Sequence, residues 1–320
     1  MEKQIEKIAK FLKRRYDLTY DPVKEMIVTV GGSEGIDICM RAMLDPGDEV
    51  LIPQPSYVSY EPCVVLAGGK PVIIELKEEN EFRLTKEELL AAITPKTKIL
   101  ILPFPNNPTG AIMTREDLEA IAEVIIEKDI FVISDEIYSE LSYNGEHVSI
   151  ASLPGMKERT IVLNGLSKSM AMTGWRIGYM AAPIELIEPM NRMTFYMTAG
   201  ATTFAAHAAI EAVKNLDGSI EKMRDEFKKR RDYLVGEINK MENFSCKMPE
   251  GAFYVFMNIK ETGMTSEEFC DFALDSARLA VVPGDAFGEC GEGYVRMSYA
   301  TSMENLKKAV SLLMKIDKEI

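Results

Sequence analysis

The chain has 320 residues, 47% hydrophobic and 27% charged, enough to bury a sizeable core in one large domain or two. Its formal net charge of -13 argues against nucleic acid or an anionic membrane surface as a partner, while leaving room for a local basic pocket. No apolar stretch is long enough to span a bilayer, and the charged start Met1-Glu2-Lys3-Gln4 does not read as a signal peptide.

Taken in chain order, Glu2 to Tyr16 is predicted as a helix, with Ile5, Ile8, Phe11 and Leu12 on one face. Met26 to Val30 reads as a strand, and Ser33 is placed to cap the helix that follows. Further strands are expected at Glu49 to Ile52, Pro71 to Leu76, Thr97 to Leu102, Ile130 to Ser134, Thr160 to Leu163 and Ile177 to Ala181. Helices at Lys86 to Ala92 and Arg115 to Glu127 lie between them, with capping boxes at Thr85/Glu88 and, in an acidic variant, Thr114/Asp117. Continuous apolar strands alternating with helices imply a mainly parallel sheet covered on both faces, a three-layer αβα architecture. After Gly218 the pattern changes. A long charged helix, Ile220 to Met241, precedes strands at Ala252 to Met257, Leu279 to Val282 and Tyr294 to Ser298 and helices at Ser266 to Ala277 and Ser302 to Ile316. We therefore expect an α/β domain over 1–217 and a smaller α+β domain over 218–320.

The five cysteines are odd in number, widely spaced and form no C-x-x-C pair, which suits free thiols in a reducing, cytoplasmic compartment. The two histidines, His147 and His207, lack metal-ligand spacing, so no metal site and no Ser-His-Asp triad is expected.

Several segments carry chemistry. Lys168 follows the apolar run Thr160 to Leu163 in a loop of small residues, and Arg176 follows eight positions later. An amine that can lose its proton beside a fixed cation is what an aldehyde carrying a phosphate requires; taken alone, the lysine reads more readily as a solvated residue on a surface loop, and the other segments tip the balance. Gly31-Gly32-Ser33-Glu34-Gly35 joins a strand to a helix, where backbone N–H groups and the helix dipole can face an anion. It matches neither the dinucleotide nor the NTP fingerprint, and an ordinary turn explains it as well. Pro103 to Gly110 is a proline-rich loop at a strand's C-terminal edge, where parallel sheets bind ligands; it can hold the Asn107 amide in one orientation or be simply a tight turn. Asp135, after the run Ile130 to Ile133, places a desolvated carboxylate at the same edge, with Tyr138 one helical turn on; a helix cap is the alternative. Tyr57, after another strand, can stack on a planar ring or pack in the core. Arg296 lies in a strand-like run and can clamp a carboxylate in bidentate fashion or sit exposed on an edge.

Together these segments resemble the class I/II aminotransferases, pyridoxal-phosphate enzymes of fold type I. The matching stretches are Val30 to Ser33, Pro55-Ser56-Tyr57, Asn107 to Gly110, Asp135 to Tyr138, Ser167-Lys168, Met172 to Gly178, Pro283-Gly284 with Phe287-Gly288, and Val295-Arg296, in the family's order. The resemblance implies pyridoxal 5'-phosphate as cofactor, an L-amino acid and a 2-oxo acid as substrates, a ping-pong mechanism and a homodimer. It implies a Schiff base on Lys168, which then shuttles a proton. Asp135 would pair with the pyridine nitrogen, and Asn107 and Tyr138 with the phenolic oxygen. Tyr57 would stack on the ring; Gly32, Ser33, Glu34 (by backbone) and Arg176 would hold the phosphate. Arg296 would bind the substrate carboxylate. Two departures stand out. Gly165 occupies a position where many relatives have serine or threonine against the phosphate, so Ser167 takes that contact or it is lost. The family's N-terminal arm, which covers the substrate and reaches the neighbouring subunit, does not precede the first helix, so loose cofactor binding and slow turnover are expected. The alternatives kept open are a carbon–sulfur β-lyase and a cofactor-binding protein with impaired catalysis.

Overall fold

A computed structural model describes residues 2–214 and 218–320. Seven strands form the main sheet: β1 (Met26–Thr29), β2 (Glu49–Gln54), β3 (Lys70–Glu75), β4 (Thr97–Leu102), β5 (Phe131–Asp135), β6 (Thr160–Gly165) and β7 (Gly178–Ala181), in the order β1-β7-β6-β5-β4-β2-β3. The pairs β2·β3, β2·β4, β4·β5 and β5·β6 are parallel, whereas β7 runs antiparallel to both β6 and β1. Two antiparallel pairings in succession restore the direction, so β1 points the same way as β6. The C-terminal ends of β1, β2, β4, β5 and β6 therefore open on one edge.

Alternate residues of the central strands feed opposite faces, as a pleated strand must. Leu100, Leu102 and Val132 pack with α4 (Lys86–Ala92) and α5 (Arg115–Glu127), while Ile99, Ile101 and Ile133 pack with α2 (Gly32–Met43), α3 (Tyr60–Leu66) and α7 (Ile184–Met197). Helices α1 (Glu2–Tyr16) and α8 (Thr203–Lys214) close the remaining part of the sheet over Val162 and Tyr179. Both expected capping boxes form, Thr85 with Glu88 and Thr114 with Asp117.

A second, fully antiparallel sheet has the order β10-β11-β9-β8, with β8 (Ser245–Cys246), β9 (Tyr254–Asn258), β10 (Val282–Pro283) and β11 (Tyr294–Ser298). It packs against α9 (Ser219–Ile238), α10 (Ser266–Ala277) and α11 (Met303–Glu319) through a core of its own. A four-residue turn of helix, α6 (Leu166–Ser169), completes the numbering. No described helix is long and apolar enough to cross a membrane.

Four local expectations need correction. Ser33 does not cap α2: the N-cap is Gly31, in a positive-φ conformation with no side-chain cap, and Ser33 lies inside the first turn. The strand expected at Leu279 to Val282 is shifted to Val282–Pro283, because the Leu279 N–H bonds Ala273 and finishes α10. Lys168 sits on the helical turn α6 rather than in a loop. Tyr138 follows Asp135 across a turn and not along a helix. Helices α3, α7 and α8 were not anticipated.

Candidate active site

The common strand edge holds a cavity of about 280 Å³. It gathers Gly32, Ser33, Tyr57, Asn107, Asp135, Tyr138, Ser167, Lys168, Arg176 and Arg296 from seven separate segments. Of the residues singled out from the sequence, Glu34 alone does not line it. Its carboxylate is turned aside to the Val30 N–H and to the Thr198 hydroxyl at 2.8 Å, leaving only its backbone at the helix start.

Lys168 enters from α6, directly after β6. Its ammonium lies 5.7 Å from the Tyr138 ring centroid and 5.5 Å from that of Phe253, and it makes no hydrogen bond or ion pair among the described residues. Burial holds this amine below its ordinary pKa; Arg296 and Arg176 push the same way, and Tyr57 and Asp135 oppose. An unpaired, partly desolvated amine is ready to lose a proton and attack a carbonyl.

Asp135 ends β5 and is buried. Burial pushes its carboxyl up to about 6, against the pull of two donors: the Tyr60 hydroxyl on Oδ2 at 2.7 Å and the Ile137 N–H on Oδ1 at 3.2 Å. Tyr60 was missed in the sequence. Its signal was its place three residues after Tyr57, where a helical turn presents both rings to one side; they meet edge-on at 5.7 Å between centroids.

Arg176 and α2 form the cationic end. Gly31 has φ 78°, a conformation that favours glycine, and the Arg176 guanidinium lies against it, with Nη2 2.3 Å from where a Cβ would stand. The first N–H groups of α2 have no intrahelical acceptor, which makes this a place for an anion. Ser167 is buried on the cavity wall. Gly165 could not carry a side chain without a shift: a Cβ there would meet Ile177 O at 2.9 Å and Gly178 Cα at 3.1 Å.

The Asn107 loop is pinned by its neighbour. Asn106 Oδ1 accepts from the Thr109 N–H at 3.1 Å and hydroxyl at 3.0 Å, and the Asn106 N–H bonds Ala111 O at 2.8 Å. Asn107 Oδ1 accepts from Arg296 Nη1 at 2.8 Å. Arg296 reaches the cavity from β11 with its guanidinium carbon 4.4 Å from the Tyr254 ring centroid and 4.7 Å from that of Phe287. Its Nε is buried with no hydrogen-bond partner among the described residues, a donor waiting for an acceptor. Tyr254, also missed in the sequence, places its hydroxyl 3.1 Å from that of Tyr138. Burial, and then Tyr254, hold the Tyr138 phenol well above its ordinary pKa.

A neutralisable amine, a buried carboxylate across the cavity, an anion cradle at one end and an arginine with an unmet donor at the other can hold a planar, phosphorylated aldehyde together with a carboxylate-bearing substrate. Among the described residues no cluster of His, Cys, Asp and Glu could hold a metal ion.

Comparison with known proteins agrees. Residues 2–313 match the family described as Aminotransferase class I and II. An aspartate aminotransferase of Pyrococcus abyssi is 47% identical over 98% of this chain and 81% of its own length. An aromatic-amino-acid aminotransferase of Thermococcus litoralis is 45% identical over 98% of this chain and 81% of its own. The crystal structure of an aromatic aminotransferase from Pyrococcus horikoshii superposes with a TM-score of 0.97 at 46% identity, covering 100% of this chain and 86% of that one. The chain belongs to the class I and II aminotransferases.

Proposed function

We propose that this aminotransferase works on pyridoxal 5'-phosphate held in the cavity by its own residues, moving an amino group from an L-amino acid to a 2-oxo acid. The observation that carries the reading is the unpaired Lys168 amine facing buried Asp135 between the Arg176 cradle and the Arg296 donor. When bound, the cofactor supplies an aldehyde for amine exchange and a ring that takes up the electron pair left at the substrate α-carbon.

The chain's residues do the rest. The N–H groups of Gly32, Ser33 and Glu34, the Ser167 hydroxyl and Arg176 hold the phosphate. Tyr57 lies against the ring. Asp135 keeps a proton on the ring nitrogen, and Tyr60 and the Ile137 N–H keep Asp135 ionised for that task. Asn107 Nδ2 and the Tyr138 hydroxyl donate to the phenolic oxygen. Arg296 takes the substrate carboxylate through Nε and its free Nη. Lys168 Nζ would hold the cofactor's aldehyde and would move the proton between the substrate α-carbon and the cofactor.

Two further parts belong to this reading. We divide the chain into a cofactor domain over 1–217 and a smaller domain over 218–320, since each sheet has its own helices and core; residues 215–217 lie outside the described set. We also read the protein as a cytoplasmic homodimer. The five cysteines are free thiols. Phe195 and Tyr196 near the end of α7 and Phe204 on α8 are 70%, 84% and 71% exposed, large apolar side chains of the kind a second copy covers.

The test is borohydride reduction of the protein with pyridoxal phosphate, followed by peptide mapping and a half-reaction screen with single amino acids. Label on Lys168 and loss of the cofactor's visible band with an amino acid support the reading. Label on another lysine ends it. Release of pyruvate from cystathionine would favour the β-lyase.

A further inference from the structure

Tyr254 lines the cavity, is 7% exposed, and has no part in the reading above. Its position follows from the sheet. On β9 it lies opposite Ser298 of β11, so Arg296 is its diagonal neighbour on the same face, within reach of long side chains. The Arg296 guanidinium lies over one side of the Tyr254 ring at 4.4 Å. The Tyr254 hydroxyl meets the Tyr138 hydroxyl at 3.1 Å. One buried side chain therefore touches both the arginine assigned to the substrate carboxylate and the phenol assigned to the cofactor's oxygen.

We propose that Tyr254 is a positioning residue that couples occupancy of Arg296 to the hydrogen bond Tyr138 makes with the cofactor's phenolic oxygen. The inference rests on the cofactor reading given above. Each hydroxyl has one proton to donate. An anionic phenolic oxygen only accepts, so Tyr138 gives its proton there, and the proton between the two tyrosines comes from Tyr254. This makes a directed chain, Tyr254 to Tyr138 to cofactor, in which each bond polarises the next. A cation over the face of the Tyr254 ring draws electron density from it and strengthens its O–H as a donor. A substrate carboxylate on Arg296 offsets that charge, so Tyr254 and then Tyr138 donate less strongly and the phenolic oxygen gains basicity. The surroundings leave the chain intact: Lys168 stands beside the Tyr138 ring, Asp135 is bonded to Tyr60, and Asn107 meets Arg296 on its Nη1. Phe253, next in sequence, packs against both tyrosines, so filling space does not by itself call for a hydroxyl at 254.

The experiment is a pH titration of the bound cofactor's visible absorbance, with and without saturating propanoate, a carboxylate without an amine. Tyr254→Phe removes the donor at nearly constant shape. Its absorbance midpoint should rise by about half a pH unit, the size of one net hydrogen bond. Propanoate should raise the wild-type midpoint, and that shift should shrink to less than half in Tyr254→Phe. In a Tyr138→Phe background, Tyr254→Phe should add nothing, because the chain is already cut. Replacing Tyr254 by 3-fluorotyrosine keeps the ring and strengthens the donor, so the midpoint should fall; this variant reports even where Tyr254→Phe folds poorly. Tyr254→Phe titrating like the wild type in both conditions overturns the coupling, as does a full shift persisting in the Tyr138→Phe background. A protein that takes no cofactor on Lys168 overturns the earlier reading and this one with it, whereas a labelled protein with unmoved midpoints overturns only the coupling.

Discussion

The Tyr60 hydroxyl donates to Asp135 Oδ2 at 2.7 Å, and both side chains are buried on the cavity wall. The carboxylate ends β5 and the phenol opens α3, so the contact joins two elements that arrive at the sheet edge from opposite sides of β4 in the chain. Burial works against the charge on Asp135, and Tyr60 works for it. The balance between the two sets several measurable properties.

The first concerns stability without cofactor. Asp135 is pushed from 3.8 to about 6 in the folded protein. Between those values the folded state binds more protons than the unfolded one, so stability should fall as pH rises through that window, by up to roughly 3 kcal/mol. Asp135→Asn cannot ionise and should lack this component. Urea unfolding of the apoprotein from pH 4 to 8 checks it: the wild-type curve should drop relative to the variant's, and parallel curves would count against a desolvated carboxylate.

Tyr60→Phe should move Asp135 in the direction that costs function. Losing the donor leaves burial less opposed, so the carboxyl rises further and is protonated at higher pH. A protonated Asp135 cannot hold a proton on the cofactor's ring nitrogen by charge. Cofactor affinity measured at pH 6 should fall by about threefold to tenfold, the worth of one hydrogen bond, with a smaller loss at pH 8. Equal losses at both pH values would make Tyr60 a packing residue only.

Arg296→Leu should separate carboxylate binding from chemistry. It removes the guanidinium and its unmet Nε, and leaves Asn107 without its partner. Charge-assisted bonds of this kind are worth about 1.5–3 kcal/mol, so KM for amino acids should rise roughly tenfold to a hundredfold or more. Simple amines have no carboxylate to lose and should be affected far less. The comparison is a half-reaction titration with an amino acid and its decarboxylated amine.

The sequence made the strand edge legible because the segments of Gly32, Tyr57, Asn107, Asp135 and Lys168 each follow an apolar run, and parallel strands deliver their C-terminal ends to one side. Lys168, Asp135, Asn107, Tyr57, Ser167 and Arg296 do line one cavity. What stayed hidden has physical causes. Tyr60 and Tyr254 act through hydroxyls that meet residues distant in sequence, Asp135 and Tyr138, and no local pattern encodes such a pair. Ser33 looked like a cap because serine favours that position, but the chain takes positive φ at Gly31 and starts the helix at Gly32. Helix α7 was obscured by Pro189 inside it, a residue that ordinarily ends a helix. The antiparallel course of β7 follows from a short return after Arg176, which periodicity does not report.

Gly165→Ser tests how much room the cavity wall leaves beside β7. A Cβ at 165 would crowd Ile177 O at 2.9 Å and Gly178 Cα at 3.1 Å, both backbone atoms of the segment leading into β7. Neither can move without disturbing the β6·β7 pairing. The variant should lose about 1–3 kcal/mol of stability, the usual cost of overpacking. A hydroxyl gained at the cavity should not offset this in cofactor affinity. Thermal unfolding and cofactor titration together decide it; a stable variant with tighter binding would mean that β7 yields easily and that Gly165 is only a missing contact.

The last test concerns the exposed aromatic side chains of α7 and α8. Trp175, next to Arg176, meets Phe204 at 6.4 Å between centroids, and Phe195 meets Tyr196 at 5.7 Å. The C-terminal end of α7 is tied to the start of α2 through Thr198 and Glu34. A second copy covering the α7 side chains would therefore brace the start of α2. Charges placed there are costly to bury and would repel a second copy carrying the same change. Tyr196→Glu with Phe204→Glu should shift the protein to monomer in sedimentation velocity and loosen the cofactor about tenfold or more. Because both side chains point to solvent in the single chain, its own unfolding should change little. A double variant that stays dimeric would move the interface elsewhere, and a monomer with unchanged cofactor affinity would free the cradle from any dependence on the second copy.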